Sequence, residues 1–385
     1  MKKILFLTLI LIIVIIGCET TQRETKVNNV DKKDDVSNAI KYYDFAKEYL
    51  KNKQYDSAIK NYTIAINDSA DFIDAYVGLG KSYEGKFDLT RAESVFIVIK
   101  DKFPKSTSGE NGLGFMYLKL KQYDNAEISF LNALTIDSAD AKSYYGLGQV
   151  YDKKKPTIKD LTSLKCFEKS CKFDSEDLAA AYAYSKALMK AERYKEALEF
   201  LKKVHEDHPT FVEPLSNLAE AYLETKQYSE AINTYNKVNQ LDSTIINTYL
   251  GLARAYKELK KYDMAEKNFK KMITLMPSST IPYLYMGQMY LDINNYSKAI
   301  DNLNLALAKN PNDENALLLI AQCWFLKVNP DKVNDENYDE AMKILETSET
   351  YFNKLLSLNG KYVKEANTGL NNIKKRRKEI DPTRW

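Results

Sequence analysis

The chain has 385 residues, with 56 Lys and Arg against 53 Asp and Glu, so its formal net charge is only +3. This balance excludes the strongly basic field with which many proteins recruit nucleic acid, and it identifies no other partner. Aromatic residues make up 12% of the chain and include 28 Tyr, whereas Gly and Pro number only 13 and 9. That composition favours an all-α protein whose helices pack through aromatic side chains.

The N-terminus reads MKKILFLTLILIIVIIGC. Its apolar run, residues 4–16, is shorter than the roughly 20 residues that span a bilayer, but it suits the core of an export signal. The run ends in IIGC, which resembles the lipobox of bacterial lipoproteins with Ile15 where Leu is common. This resemblance implies a signal peptide over residues 1–17 and a lipid on Cys18. The alternative is an uncleaved anchor with an incidental cysteine.

Residues 18–38 are polar, mixed in charge and without apolar periodicity, which predicts a flexible tether. We expect acyl chains on Cys18 to hold the mature protein at a membrane without a spanning helix, because two or more chains anchor stably. The expected location is the bacterial cell envelope. The periplasmic side of the outer membrane is favoured, and the inner membrane and the cell surface are the alternatives.

Small residues then recur with a fixed period. One series advances by 34 residues at every step except one of 37, and it consists of Ala46, Gly80, Gly114, Gly148, Ser185, Ala219, Ala253, Gly287 and Ala321. A second series keeps the same rhythm and consists of Ala58, Ala92, Ala126, Ser163, Ala197, Ala231, Ala265 and Ala299. Only small residues let two helix backbones approach closely, so the two series predict closely crossing helix pairs. In the regular unit 246–279, where Ile246 is position 1, these residues occupy positions 8 and 20.

Aromatic residues keep the same register. Position 11 holds Tyr49, Tyr83, Tyr117, Tyr151, Tyr222, Tyr256 and Tyr290, and position 24 holds Tyr62, Phe96, Phe130, Phe167, Tyr235 and Phe269. Pro104, Pro209, Pro277 and Pro311 stop the second helix at position 32. This pattern resembles the tetratricopeptide repeat (TPR), a 34-residue helix-turn-helix unit. The resemblance implies an all-α, right-handed solenoid of about nine units over residues 39–360.

Two units depart from this pattern, and the C-terminus differs from all of them. Insertions near 152–158 and 328–337 predict long turns, which either serve binding or are merely tolerated. Residues 361–385 predict a capping helix and tail, because apolar residues recur there at helical spacing beside polar ones. The run KKRRK at 374–378 is either an anionic-lipid patch or a solvated helix end whose cations complement the helix dipole.

Residues with catalytic or metal-binding chemistry are scarce. His205 and His208 are the chain's two histidines, and neither a third His nor a CxxC motif accompanies them. No Gly-rich phosphate loop, GxSxG elbow or HExxH motif occurs. We therefore expect no cofactor, no metal and no enzymatic activity. The alternative is an envelope enzyme or a ligand- or metal-binding component that uses a site around His205 and His208.

In TPR proteins the first helix of each unit lines a groove, and positions 2, 5, 9 and 12 point into it. The family's clamp for a C-terminal carboxylate is not matched by any three consecutive units here. Candidate groove residues in the early units are Lys47, Lys81, Tyr145, Tyr182 and Lys186. Those in the later units are Leu223, Leu250, Arg254, Leu284, Gln288, Leu291, Leu318, Gln322 and Phe325. The alternative is that these side chains pack only against neighbouring helices.

The sequence therefore predicts a membrane-anchored lipoprotein that acts as a protein–protein interaction scaffold or adaptor. It is similar in kind to the repeat lipoproteins that assist outer-membrane protein, pilus secretin or cell-wall enzyme assembly. The expected partners are other envelope proteins and, through the lipid anchor, a membrane. Neither nucleic acid nor a small-molecule substrate is expected.

Overall fold

The computed structural model describes residues 29–381, and between these residues it contains nineteen α-helices, a single 3₁₀ turn and no strand. The predicted signal peptide and Cys18 lie outside the described residues. The chain divides into two compact units, unit 1 up to Asp174 and unit 2 from Ser175. The all-α prediction is confirmed.

The helices follow one another in pairs joined by short turns. Unit 1 contains α1 (Asn29–Lys51), α2 (Tyr55–Asp68), α3 (Ile73–Gly85), α4 (Leu89–Lys102), α5 (Ser108–Lys119), α6 (Tyr123–Ile136), α7 (Ala141–Tyr151) and α8 (Ser163–Phe173). Unit 2 contains α9 (Leu178–Lys190), α10 (Tyr194–Asp207), α11 (Val212–Glu224), α12 (Tyr228–Leu241), α13 (Ile246–Glu258), α14 (Tyr262–Leu275), α15 (Ile281–Asp292), α16 (Tyr296–Lys309), α17 (Glu314–Lys327), α18 (Tyr338–Ser357) and α19 (Val363–Ile380).

The first helix, α1, begins earlier than the sequence predicts. The tether prediction does not hold for residues 29–38, which are helical. Ala39 and Ala46 are fully buried, and the Asn38 amide donates a hydrogen bond to the Asp68 carboxylate on α2. Once these contacts fix one turn of helix, each further turn toward the N-terminus adds backbone hydrogen bonds without a new nucleation cost.

Most turns inside the pairs share one geometry. Lys53 has a left-handed φ of 58°, and the next amide, that of Gln54, donates to the Tyr49 carbonyl at 2.8 Å. This six-to-one hydrogen bond satisfies a carbonyl at the end of α1 and reverses the chain within a few residues. A residue with the same left-handed conformation occupies this turn position in six further pairs, and these residues are Phe87, Lys121, Glu192, Lys226, Lys260 and Asn294.

The core repeats one packing motif, in which an aromatic ring fills the space left by two glycines. Phe130 on α6 is fully buried. A Cβ added to Gly114 on α5 would lie 2.6 Å from its ring, and one added to Gly146 on α7 would lie 2.1 Å from it. Phe96 stands in the same relation to Gly80 and Gly112. The small residues predicted from helix crossing therefore make room for rings that hold three successive helices together.

The insertion in unit 1 lies between Tyr151, where α7 ends, and Ser163, where α8 begins. Glu127 holds it in place. The carboxylate of Glu127 accepts hydrogen bonds from Tyr151 Oη at 2.7 Å, Lys154 Nζ at 2.7 Å and Thr157 N at 3.1 Å. Burial alone would raise the pKa of Glu127, but the hydrogen bonds from Lys154, Thr157 and Tyr151 together outweigh it and lower this pKa.

The C-terminal part of unit 2 is closed by α18 and α19. Phe352 on α18 and Ile373 on α19 belong to one buried cluster, which Val328 from the preceding loop also joins. The loop itself contains the 3₁₀ turn Pro330–Lys332. None of the helices between residues 29 and 381 has the length and apolarity required to span a bilayer.

The glycine–ring motif predicts the effect of adding a single methyl group. In Gly146→Ala the new Cβ collides with a Phe130 ring that is closely packed on all sides and cannot move aside. We expect the free energy of unfolding, measured by urea denaturation, to fall by about 1 to 3 kcal/mol. Adding Phe130→Leu in the same chain should cost less than the sum of the two single changes, because the collision is then absent.

Gly360→Ala is the matched control. Its added Cβ meets the carboxylate of Glu314, which is the flexible end of a half-buried side chain. We expect a change within about 0.5 kcal/mol. Equal losses in Gly146→Ala and Gly360→Ala would contradict the packing motif.

Candidate functional site

The predicted groove residues fall in both units. Lys47, Lys81 and Tyr145 belong to unit 1, whereas Tyr182 and Lys186 belong to unit 2. The three lysines are exposed. The Lys47 ammonium lies 5.4 Å from the centre of the Tyr43 ring. Tyr145 is half-buried, with its ring centre 6.0 Å from that of Phe167, so in this residue packing limits what a partner can reach.

The clearest hollow formed by predicted groove residues lies between α13 and α15 in unit 2. Its volume is about 230 Å³, and Leu250, Arg254 and Gln288 all line it. The lining is completed by Lys257, Phe269, Tyr285 and Met289. The floor of this α13–α15 cavity is apolar, since Met289 and Phe269 are buried core residues and Leu250 packs against the same cluster.

Arg254 forms one wall of the cavity and is held by two carboxylates of α11. Its guanidinium nitrogens lie 2.7 Å from Glu220 Oε1 and 2.6 Å from Glu224 Oε1. The Tyr235 hydroxyl donates to the other oxygen of Glu220. Burial alone would lower the pKa of Arg254, but Glu224 and Glu220 outweigh it and raise this pKa. The two ion pairs fix the direction of the guanidinium.

One ion pair joins α13 to α15 beside the cavity, and a hydrogen bond within α15 supports it. The Lys257 ammonium lies 3.0 Å from Asp292 Oδ2, and the Gln288 amide donates to Asp292 Oδ1 at 2.7 Å. A neighbouring hollow of about 310 Å³ shares Arg254 and Lys257 with the cavity and extends it toward Leu223, Glu224 and Glu258. The two hollows therefore follow one path across α11, α13 and α15.

This arrangement suits binding better than catalysis. The charged groups at the rim are already paired with one another. The pKa of Arg254 is raised, so its guanidinium stays charged. Burial, followed by the charge of Glu220, raises the pKa of the Tyr235 phenol as well, which removes it as a base near neutral pH. An apolar floor with charged pairs at its rim offers a pocket for an apolar side chain and hydrogen-bonding groups for the segment that carries it.

Two predicted groove residues are largely engaged by other parts of the chain. Leu223 lines the neighbouring hollow, but it is only 5% exposed and belongs to a core cluster, so a partner would reach little of it. Position 12 of the repeat predicts that Leu223 faces the groove, but Ile232 and Leu252 belong to the same cluster and help to bury it. Phe325 is half-buried and partly covered by the C-terminal helix, because the Arg376 guanidinium lies 4.5 Å from the centre of its ring.

The remaining predicted residues are half-buried. Leu284 and Leu291 pack against the core cluster around Met286, and Leu318 packs against the cluster closed by α18 and α19. Gln322 is also half-buried on α17. For Leu284, Leu291 and Leu318, packing against neighbouring helices accounts for the observed contacts.

Four residues that line the cavity are not among the groove residues predicted from the sequence. They are Lys257, Phe269, Tyr285 and Met289. Lys257 occupies position 12, a groove position, so the repeat pattern contained the signal for it. Tyr285 stands at position 6, and its ring is stacked on Phe269 with centres 6.0 Å apart. That contact joins two successive 34-residue repeats within unit 2, and the spacing of the sequence does not predict it.

The histidine pair gains no further ligand. His205 lies in the last turn of α10, and His208 follows directly after the helix. Among residues 29–381 no group of three or more His, Cys, Asp or Glu could hold a metal ion. Burial, and then the charge of Lys237, lower the pKa of His205, while Glu206 acts in the opposite direction. Its Nδ1 is buried without a hydrogen-bond partner among the described residues.

Comparison with known proteins agrees with the repeated fold. Residues 111–140, 188–244 and 246–278 match tetratricopeptide repeat family models. The first of these segments covers α5 and α6 of unit 1, and the other two lie in unit 2. The chain therefore contains tetratricopeptide repeats in both units. No curated protein sequence matches it significantly.

Solved structures of TPR proteins resemble the chain at low identity. YrrB, a TPR protein with an unusual peptide-binding site, is 20% identical with a TM-score of 0.44, covering 49% of this chain and 95% of its own. PilF of Pseudomonas aeruginosa is 18% identical with a TM-score of 0.45, covering 56% and 97%. The C-terminal part of a TPR repeat-containing protein from Cytophaga hutchinsonii is 17% identical with a TM-score of 0.48, covering 72% and 99%.

The lowered pKa of His205 predicts a loss of stability in mild acid. The unfolded chain takes up a proton at this residue below about pH 6.5, whereas the folded protein resists it. The free energy of unfolding should therefore fall as the pH drops from about 7.5 through 6.5, until the folded-state pKa is passed. In His205→Gln this decrease should be smaller, as measured by urea denaturation at several pH values. A variant with the native pH dependence would contradict the assignment.

Proposed function

We propose that the protein is an interaction scaffold that binds segments of other proteins along the first-helix face of unit 2. The observation that carries this proposal is the α13–α15 cavity. It combines an apolar floor with a rim of fixed ion pairs, and it is open to solvent beside the exposed Tyr285. Helical repeats with such hollows suit an extended segment or a helix of a partner.

The size of the cavity limits its occupant. A volume of about 230 Å³ fits one or two apolar side chains rather than a drug-sized ligand, since such ligand pockets measure roughly 300 to 1,000 Å³. Tyr285 is exposed at the mouth of the cavity and offers both a ring face and a hydroxyl to a visiting chain. The polar pairs at the rim would orient that chain rather than supply most of the affinity.

We further propose that the scaffold is a lipoprotein of the bacterial cell envelope, anchored through Cys18. The lipobox-like sequence at residues 15–18 supports this assignment. The described helices offer no spanning segment of their own, so the lipid would be the means of attachment. The partners would then be other envelope proteins, and assembly of their complexes would be the setting in which the scaffold acts.

Copurification from detergent-solubilised membranes tests the scaffold. Native protein should enrich a defined set of envelope proteins. Leu250→Glu combined with Tyr285→Ser should lose them, because a carboxylate is placed on the apolar floor and the ring at the mouth is removed. Quantitative mass spectrometry measures the enrichment, and circular dichroism confirms that helical content is unchanged. Loss of more than about 1 kcal/mol of binding, roughly fivefold, is expected for each anchor contact.

Leu305→Glu is the matched control for this experiment. Leu305 is an exposed Leu on α16, a second helix of its pair, and it does not line the cavity. Its change to Glu should leave the enriched set intact. If native protein, the cavity variant and Leu305→Glu all retain the same proteins, the cavity is not the binding surface.

Metabolic labelling with a palmitate analogue tests the anchor. Native protein expressed in a bacterial host should take up the label and fractionate with membranes. Cys18→Ala should take up none, because the thiol that accepts the lipid is missing. Equal labelling of both proteins would rule out Cys18 as the lipidated residue.

A further inference from the structure

Three of the four turns that join the helices of a pair in unit 1 present an apolar side chain to solvent. Phe87 lies between α3 and α4 with a φ of 62°, and 86% of its surface is exposed. Left-handed backbone is unfavourable for a bulky residue, and here no buried contact compensates. The left-handed residues at the same turn position in other pairs are polar, namely Lys53 and Lys121 in unit 1 and Glu192, Lys226, Lys260 and Asn294 in unit 2.

Two neighbouring turns of unit 1 also expose an apolar side chain. We call these side chains, together with Phe87, the apolar tips. Leu120, directly before the left-handed Lys121, is 38% exposed, and Ile158 in the insertion after α7 is 43% exposed. In contrast, the turns at the other ends of these helices, residues 69–72, 103–107 and 137–140, contain no exposed large apolar side chain. The exposed apolar residues of the turns themselves therefore lie on one side of unit 1. On the other side, the last residues of α6 and α8, Ile136 and Phe173, are 37% and 42% exposed.

Ion pairs between successive turns show that these turns form one continuous surface. Lys86 pairs with Asp56 at 2.5 Å, which joins the second turn to the first pair, and Lys119 pairs with Glu84 at 2.7 Å. Lys154 in the insertion pairs with Asp124. We call this surface the turn edge of unit 1. It consists of residues 51–54, 86–88, 119–122 and 152–160.

The turn edge also carries cations that the fold does not neutralise. Five lysines on it are exposed and take part in no ion pair among the described residues, and they are Lys51, Lys53, Lys121, Lys155 and Lys159. Among the acidic side chains on or beside the edge, Asp56 and Asp124 are bound to Lys86 and Lys154. Asp160 is exposed and takes part in no ion pair between residues 29 and 381, so the unpaired lysines outnumber the unpaired carboxylate. Lys121 lies in the turn of Leu120, and Lys155 and Lys159 lie in the turn of Ile158, whereas the turn before Phe87 contributes Lys51 and Lys53.

We propose that the turn edge of unit 1 binds the surface of an anionic lipid bilayer. Lysines near such a surface each strengthen binding about fivefold, and apolar tips such as Phe87 gain by entering the interface between headgroups and acyl chains. The tips protrude and form no groove, so a deformable interface accepts them where a folded partner would need matching pockets. A purely polar polyanion would leave them in water.

This contact is separate from the α13–α15 cavity and goes beyond the scaffold function. A lipid on Cys18 would keep the chain near a bilayer, whereas the turn edge would determine which side of unit 1 faces it. Binding would therefore orient unit 1 and leave the opposite turns pointing away from the membrane.

Fluorescence with brominated lipids tests the proposal at the residue itself. Full-length Phe87→Trp protein is mixed with phosphatidylcholine vesicles that contain brominated phosphatidylglycerol, and the native signal is subtracted. Bromine quenches only indoles that reach the bilayer, so the readout is independent of any other membrane contact of the chain. Glu192→Trp is the matched control, because it occupies the same left-handed turn position in unit 2.

We expect the indole of Phe87→Trp to be quenched and shifted to shorter wavelength, and that of Glu192→Trp to be unaffected. Adding Lys53→Glu and Lys121→Glu to Phe87→Trp should lower the vesicle affinity of the edge by at least about fivefold per lysine. Equal quenching of Phe87→Trp by brominated phosphatidylcholine alone would overturn the role of anionic lipid. An unquenched indole would overturn membrane contact and leave a protein as the occupant of this edge.

Discussion

The fit of one aromatic ring over two missing Cβ atoms is the constraint on which the repeated structure depends. Phe130 reaches Gly114 in its own helix pair and Gly146 in the next, so a single side chain sets the spacing within a pair and between pairs. Because the ring is fully buried, neither glycine tolerates a larger residue without a shift of the backbone. Where the ring is replaced by Leu303, Gly287 still provides the space.

Because a few positions in each repeat hold the helices together, the other surfaces can differ between unit 1 and unit 2. Rings and small residues occupy the positions that hold helices together, so first-helix faces and turns can carry other chemistry at little cost to the fold. In unit 2 that freedom produces the α13–α15 cavity, walled by Arg254 and its two carboxylates. In unit 1 it produces a turn edge with Phe87 at its tip. The same scaffold thus offers two surfaces of different character.

The sequence predicts the fold of this protein more completely than its candidate binding site. The positions of Gly114 and Phe130 could be predicted because the repeat returns each residue type to the same place every 34 residues. The ion pair between Arg254 and Glu220 could also have been predicted, since the two residues occupy position 9 of successive 34-residue repeats. Leu223 and Lys257 share position 12, yet the first is buried and the second lines the cavity. The repeat pattern gives the direction of a side chain but not what lies above it.

The sequence alone determined the helix pairs, their register and the residues that hold them together, because these interactions are local and recur with the repeat. It also limited the chemistry, since two histidines and scattered cysteines offer little for a catalytic or metal site. Only the tertiary structure decided which groove residues remain open, that Arg376 partly covers Phe325, and that α1 extends back to Asn29. Exposure depends on every element packed around a residue, and neighbours distant in sequence leave no periodic signal.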